Sequence, residues 1–315
     1  MDTSLSVPRL FTGELNVETI STLGEPCEPF GELSFFKMID VFYDKAYALA
    51  EQGCKAFLLE GISSLAELRA AVFACRKTEL PVFVMMDVGN EDFDSMGGKE
   101  LAFLISLQGM GISAFGLKPN EFCEFGIIDK LYKQLYPYAT VPIFAKLEAG
   151  KVVVSEIREM LGEGVECFDC RDISEAELEV MRIEMERFDF MQKLSQKRDI
   201  SFVVANEEQA FFLNPENIEF SPAIDIECDM ADELLDFKDE IFDVIKIKLS
   251  SHDDGYHFSQ NMHFLQFPVM FISDDVEPLR MALHYYNGRA IIDSQSEIDE
   301  EILAGVAEEF GAIIY

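Results

Sequence analysis

The chain has 315 residues and a mass of 35.7 kDa, with 59 acidic against 25 basic side chains and a formal net charge of -34. That charge excludes a nucleic-acid partner, because phosphate backbones are held mainly by Lys and Arg, and it disfavours anionic membrane surfaces. Hydrophobic residues make up 49% of the chain and Phe alone 28 positions, so it lacks the low hydrophobicity that disorder requires.

Residues 1–8 are short and polar, with no secretory h-region, and no stretch approaches the ~18 apolar residues of a membrane span. The expected compartment is the cytoplasm. Seven cysteines, an odd number and mostly scattered (Cys27, Cys54, Cys75, Cys123, Cys167, Cys170, Cys228), read as reduced thiols and core fillers rather than a disulfide framework.

In chain order, short apolar runs predict strands at 9–15, 56–61, 82–88, 114–118, 141–147 and 165–170. More follow at 201–205, 218–226, 244–249, 267–273, 289–294 and 312–315. Their hydrophobicity is continuous, as in parallel strands covered on both faces. Helices are expected between them. Ser34 precedes apolar residues at helical spacing (Phe36, Ile39, Phe42, Ala46, Leu49). Ser64 with Glu67, and Ser174 with Glu177, have capping-box spacing. Gly53 and Gly162 stand where helix C-caps are expected. Residues 229–240 read as an acidic, solvated helix.

Repeated strand–helix units specify an α/β protein. A dozen strands exceed one eight-stranded barrel, so the expectation is a TIM-barrel-like (β/α) first domain at 1–195 and a smaller parallel α/β partial-barrel domain at 196–315. The joint is placed in the polar stretch 192–199. Acidity is densest in the second part, with 26 acidic against 7 basic residues from 196 to 315.

An ordered series of segments resembles the homocysteine S-methyltransferase family, the catalytic barrel of cobalamin-dependent methionine synthase, from Leu10 to Met181. The segments are 28–34 (EPFGELS), 48–53 (ALAEQG) leading to 56–60 (AFLLE), 80–86 (LPVFVMM), 114–117 (AFGL) and 141–146 (VPIFAK) ending in Ala149-Gly150. The second part resembles the pterin-binding barrel of the same enzymes, at 267–273 (FPVMFIS), 287–294 (NGRAIIDS) and 311–315 (GAIIY).

The resemblance implies one zinc ion held by three Cys thiolates that activates homocysteine. The first ligand's motif place reads 116–119 (GLKP), without Cys. The paired ligands' place reads 168–172 (FDCRD), which leaves Cys170, with Cys167 three residues before it. Two thiolates make a poor zinc site. No cofactor is therefore assigned, and Cys170 and Cys167 are only weak metal candidates. Strand alternation turns this Cys-x-x-Cys pair to opposite faces, which favours core over redox roles. On the pterin side Ile272 replaces an Asp, and Asp293 with Ser294 are what remains. The family opens with a strand ending in a Gly-rich loop and then a second strand, whereas this chain begins at what resembles the third, so either the strands at 201–205 and 218–226 close the first barrel or it stays open.

Glu60 sits at a strand C-terminus, where the family contacts the substrate amine; the plain alternative is a helix-capping or lysine-paired carboxylate. Glu60, Asp87 and Glu148 are the substrate-binding candidates. Together with Asp169 they would make an acidic mouth suited to an amine or a hard cation, or simply four solvated carboxylates.

Two readings follow. One is a thiol S-methyltransferase that takes homocysteine or a related small thiol or amino acid and receives its methyl group from a partner protein. The other is a non-catalytic relative that binds a partner methyltransferase or corrinoid protein, with an exposed sheet edge near Tyr315 favouring a homo-oligomer.

Overall fold

The computed structural model describes residues 9–28, 31–89, 98–120, 123, 126–188, 197–226, 230, 234 and 242–315. The opening segment 1–8, Cys228, most of the 229–240 stretch and part of the 192–199 joint lie outside the described residues.

Seven strands form the first sheet: β1 (Leu10–Phe11), β2 (Val17–Ile20), β3 (Ala56–Glu60), β4 (Val82–Val88), β5 (Ala114–Pro119), β6 (Ile143–Lys146) and β7 (Cys167–Asp169). All pairings are parallel, in the order β1-β7-β6-β5-β4-β3-β2. This is the cyclic order of a (β/α) barrel, with a seam between β1 and β2. The sheet curls: Phe11 on β1 stacks on Phe83 of β4 at 4.8 Å and meets Phe144 of β6 edge-on at 5.8 Å. Arg171 Nη1 donates to the Val17 carbonyl at 2.8 Å, across the seam.

Helices α1 (Phe35–Glu51), α2 (Leu65–Arg76), α3 (Lys99–Gly109), α4 (Ile127–Leu135), α5 (Val154–Glu163) and α6 (Glu175–Arg187) occupy the connections. The Ser174/Glu177 capping box is complete. The one at α2 is half made. Ser64 accepts from the Glu67 N–H, but the Glu67 carboxylate turns to Thr22 Oγ1 and the Leu23 N–H, tying down the β2–α1 loop. Gly53 has the expected left-handed φ of 92°, whereas Gly162 lies inside α5. Gly164, with a left-handed φ of 109°, caps that helix instead, and only glycine fits there, since a Cβ would lie 2.4 Å from the Tyr136 ring.

A hairpin of β8 (Val203–Ala205) and β9 (Ala210–Phe212) follows, then a second parallel sheet. It runs in chain order: β10 (Phe220–Asp225), β11 (Val244–Lys248), β12 (Val269–Ile272), β13 (Ile291–Ile292) and β14 (Ile313–Ile314). Helices α7 (Asp254–Asn261), α8 (Val276–Tyr285) and α9 (Glu300–Phe310) link its later strands. This sheet also curls, since Phe220 on one edge and Tyr315 beyond the other bring their rings within 5.6 Å. Val204 of the hairpin packs with Val244, Met270, Ile291 and Ile313 on one face. Neither 201–205 nor 218–226 joins the first sheet, so the expectation that they might close it is corrected. The hairpin instead covers one face of the second sheet.

One contiguous apolar cluster runs through the outer faces and helices of both parts. Arg69 of α2, 1% exposed, donates to the Leu283 and His284 carbonyls at the end of α8, at 2.7 and 2.9 Å. None of the six described cysteines is disulfide-bonded. Among the described residues no helix is long and apolar enough to cross a membrane.

Candidate functional site at the mouth of the first sheet

Strand alternation builds this site. On β3, Ala56 and Leu58 point inside the curled sheet, on β4 Phe83 and Met85, on β5 Ala114, on β6 Phe144 and on β7 Cys167; these form a separate interior cluster with Phe11 and Val17. Gly116 completes the layer without a side chain. A Cβ there would lie 2.7 Å from the Phe144 carbonyl oxygen and 2.9 Å from its ring. One inward position further along each strand come Glu60, Asp87, Lys118, Lys146 and Asp169, at the strands' C-terminal ends. The interior is thus apolar below and charged at the mouth, the end that carries active sites in α/β barrels.

The charges there are paired. Lys118 Nζ meets Glu60 Oε1 at 2.8 Å, and Lys146 Nζ meets Oε2 at 3.3 Å. Burial pushes the Glu60 carboxyl up, but the two lysines outweigh it and hold the group below the usual carboxylate range. The hydrogen bond to Glu60 in turn raises Lys118. Asp169, 2% exposed, takes a two-pronged contact from Arg171, Nε to Oδ1 at 2.9 Å and Nη2 to Oδ2 at 2.7 Å. Asp87 lies beside Lys118 in strand register and acts on its charge, as does Glu148. Glu148 itself stands two residues past β6, exposed and paired with Lys151. A cleft of about 500 Å³ opens beside this group, between Lys118, Lys146, Glu148, Lys151 and Asp172 on one side and Val153, Ile157 and Met160 of the α5 region on the other.

The four expected carboxylates therefore do gather at one mouth, but as a mixed-charge network rather than an acidic ring. Sequence reasoning missed Lys118, Lys146, Lys151 and Arg171 as site residues. The signal for two of them was present: Lys118 and Lys146 share the inward phase of Ala114 and Phe144. Among the described residues no group of three or more His, Cys, Asp or Glu is arranged to hold a metal ion.

The weak metal candidates part company. Cys167 faces the interior cluster and Cys170 the outer core. Burial pushes both thiols up to about 12, so both are protonated at neutral pH. Zinc needs convergent thiolates, and these residues do not fit it. On the second sheet, Ile272 ends β12, and Asp293 follows β13, where its Oδ1 accepts from the Gln295 N–H at 3.0 Å. Ser294 donates its N–H to the Tyr315 carbonyl at 2.9 Å. Neither Asp293 nor Ser294 lines the mouth cleft.

Residues 12–126 match the family model of homocysteine S-methyltransferase. Among solved structures, the wild-type GGGPS from Thermoplasma volcanium is 10% identical; the alignment covers 57% of this chain and 92% of that one, with a TM-score of 0.24. The (S)-3-O-geranylgeranylglyceryl phosphate synthase from Thermoplasma acidophilum, in complex with sn-glycerol-1-phosphate, is 8% identical over 54% and 90%, with a TM-score of 0.23. No curated protein matches.

Proposed function

We propose that this chain, whose residues 12–126 are a homocysteine S-methyltransferase-like segment, is a non-catalytic binding relative of that family. It takes a small amino acid or thiol at the mouth of the first sheet and does not run zinc–thiolate chemistry. The observation that carries this reading is Glu60 held between Lys118 and Lys146, the two lysines that line the cleft. An α-amino acid carries both charges in one compact group. Its ammonium can take Glu60 while its carboxylate takes the two lysines, so no mouth charge is left unpaired. A thiol side chain would then lie without a soft metal to activate it, because Cys167 and Cys170 face opposite ways. In this reading the chain serves a partner methyltransferase or corrinoid protein.

Titration calorimetry with L-homocysteine and L-methionine tests it. Saturable binding is expected, weakened about tenfold or more in Lys146→Ala, since a charged hydrogen bond contributes roughly 1.5–3 kcal/mol. Absence of binding by both would sink the proposal. Methyl transfer from a corrinoid donor to homocysteine by the purified protein would sink its non-catalytic half. The family match favours such transfer as the second reading; stoichiometric zinc lost on Cys170→Ser would support it.

A further inference from the structure

A second cleft, of about 360 Å³, lies between the two parts of the molecule. Glu28 before α1 and Ser64 at the start of α2 form one wall. Glu207 and Glu208 in the β8–β9 turn, and Asn287 in the loop before β13, form the other. It shares no residue with the mouth cleft of the first sheet.

Its chemistry is one-sided. Three carboxylates line it, with one imidazole (His263) and neither Lys nor Arg. Asn287 is 8% exposed, and its Nδ2 donates to Glu207 Oε2 at 3.3 Å. Its buried Oδ1, in the same cleft-wall amide, accepts no hydrogen bond from the described residues. A buried acceptor left unmet is costly, so this atom is ready to take a donor. Burial raises the Glu207 carboxyl, while Asn287 and the nearby Leu65 N–H act the other way, favouring its ionised form. Met262, Leu265 and Tyr286 supply an apolar wall.

Two neighbouring acceptors, one neutral and one anionic, match the planar N–H fork of a guanidinium. We propose that this cleft binds a small alkylguanidinium, its fork spanning Asn287 Oδ1 and the Glu207 carboxylate and its alkyl stem lying on Met262 and Leu265. A primary ammonium is a point charge and gains less from that pair. The general attraction of a chain of net charge -34 for any cation is a separate effect, screened over about 8 Å at physiological ionic strength.

The test is calorimetry on the full chain at that ionic strength with agmatine, charge-matched putrescine and neutral butylurea. Saturable agmatine binding is expected, with putrescine at least tenfold weaker and butylurea silent. Asn287→Leu and Glu207→Gln should each weaken agmatine at least tenfold. Asn287→Asp, which keeps an acceptor in place, should retain it, and Lys118→Ala should leave it unchanged. Putrescine binding as tightly as agmatine would overturn the proposal, as would no agmatine binding or binding indifferent to both Asn287→Leu and Glu207→Gln.

Discussion

At residue scale, His284 ties stability to pH. Its ring sits among Phe36, Phe73 and Phe310, with centroids 5.0, 5.5 and 4.7 Å away. Burial, with Arg69, Arg280 and Lys77 nearby, pushes its pKa down to about 4. The unfolded chain then binds one more proton than the folded one between about pH 6.5 and pH 4, so stability falls as pH drops through that window. The loss is about 3 kcal/mol by pH 4, at 1.36 kcal/mol per pKa unit. His284→Phe should flatten the fall in urea midpoint between pH 7 and pH 5; parallel profiles would refute the assignment. Arg69, buried beside His284, contributes to stability through hydrogen bonds. Arg69→Met keeps much of the volume between Phe35 and Phe73 but leaves the Leu283 and His284 carbonyls unmet. A loss of roughly 2–4 kcal/mol is expected in denaturant titration.

At the scale of elements, the first sheet depends on its seam. Arg171, two residues past the end of β7, binds Asp169 of that strand and the Val17 carbonyl of β2 at once. Arg171→Met should therefore speed amide exchange in β2 more than in β4, which has strands on both sides. Equal acceleration in the two strands would count against the seam. The two parts also meet at a pair of glycines. A Cβ on Gly311, whose φ is 68°, would lie 2.4 Å from the Gly109 carbonyl carbon at the end of α3. Gly311→Ala combines that overlap with left-handed strain and should cost about 2 kcal/mol or more, read as a lowered thermal midpoint.

At the scale of the molecule, the shared apolar cluster and Arg69 lead us to expect one cooperative unfolding transition rather than two, despite two sheets. Two resolved calorimetric peaks would show that the parts unfold separately. Net charge sets a second expectation. Self-repulsion from -34 charges is screened by salt, so the thermal midpoint should rise between low and moderate sodium chloride. A falling midpoint would place more of the stability in surface ion pairs such as Lys151–Glu148 and Arg182–Glu175 than in relief of repulsion.

The sequence by itself determined the α/β class and most strands, because buried parallel strands are written as uninterrupted apolar runs: 82–88 was read to its observed ends, Val82–Val88. It did not reveal β2 or β9. Val17–Ile20 (VETI) is an edge strand with half its residues buried and makes no apolar run, and Ala210–Phe212, though apolar, is only three residues long, too short to mark a strand by itself. The carboxylates of the mouth were legible from strand ends, and Lys118 and Lys146 from the same alternation. The divergence of Cys167 and Cys170 was legible from that alternation too; which of the mouth charges pair follows from the curl of the sheet. Only the tertiary structure decided how the barrel seam is held and that a cleft joins Glu207 to Asn287. Those contacts join residues 80 or more positions apart, and no local pattern in a chain specifies a pairing at that separation.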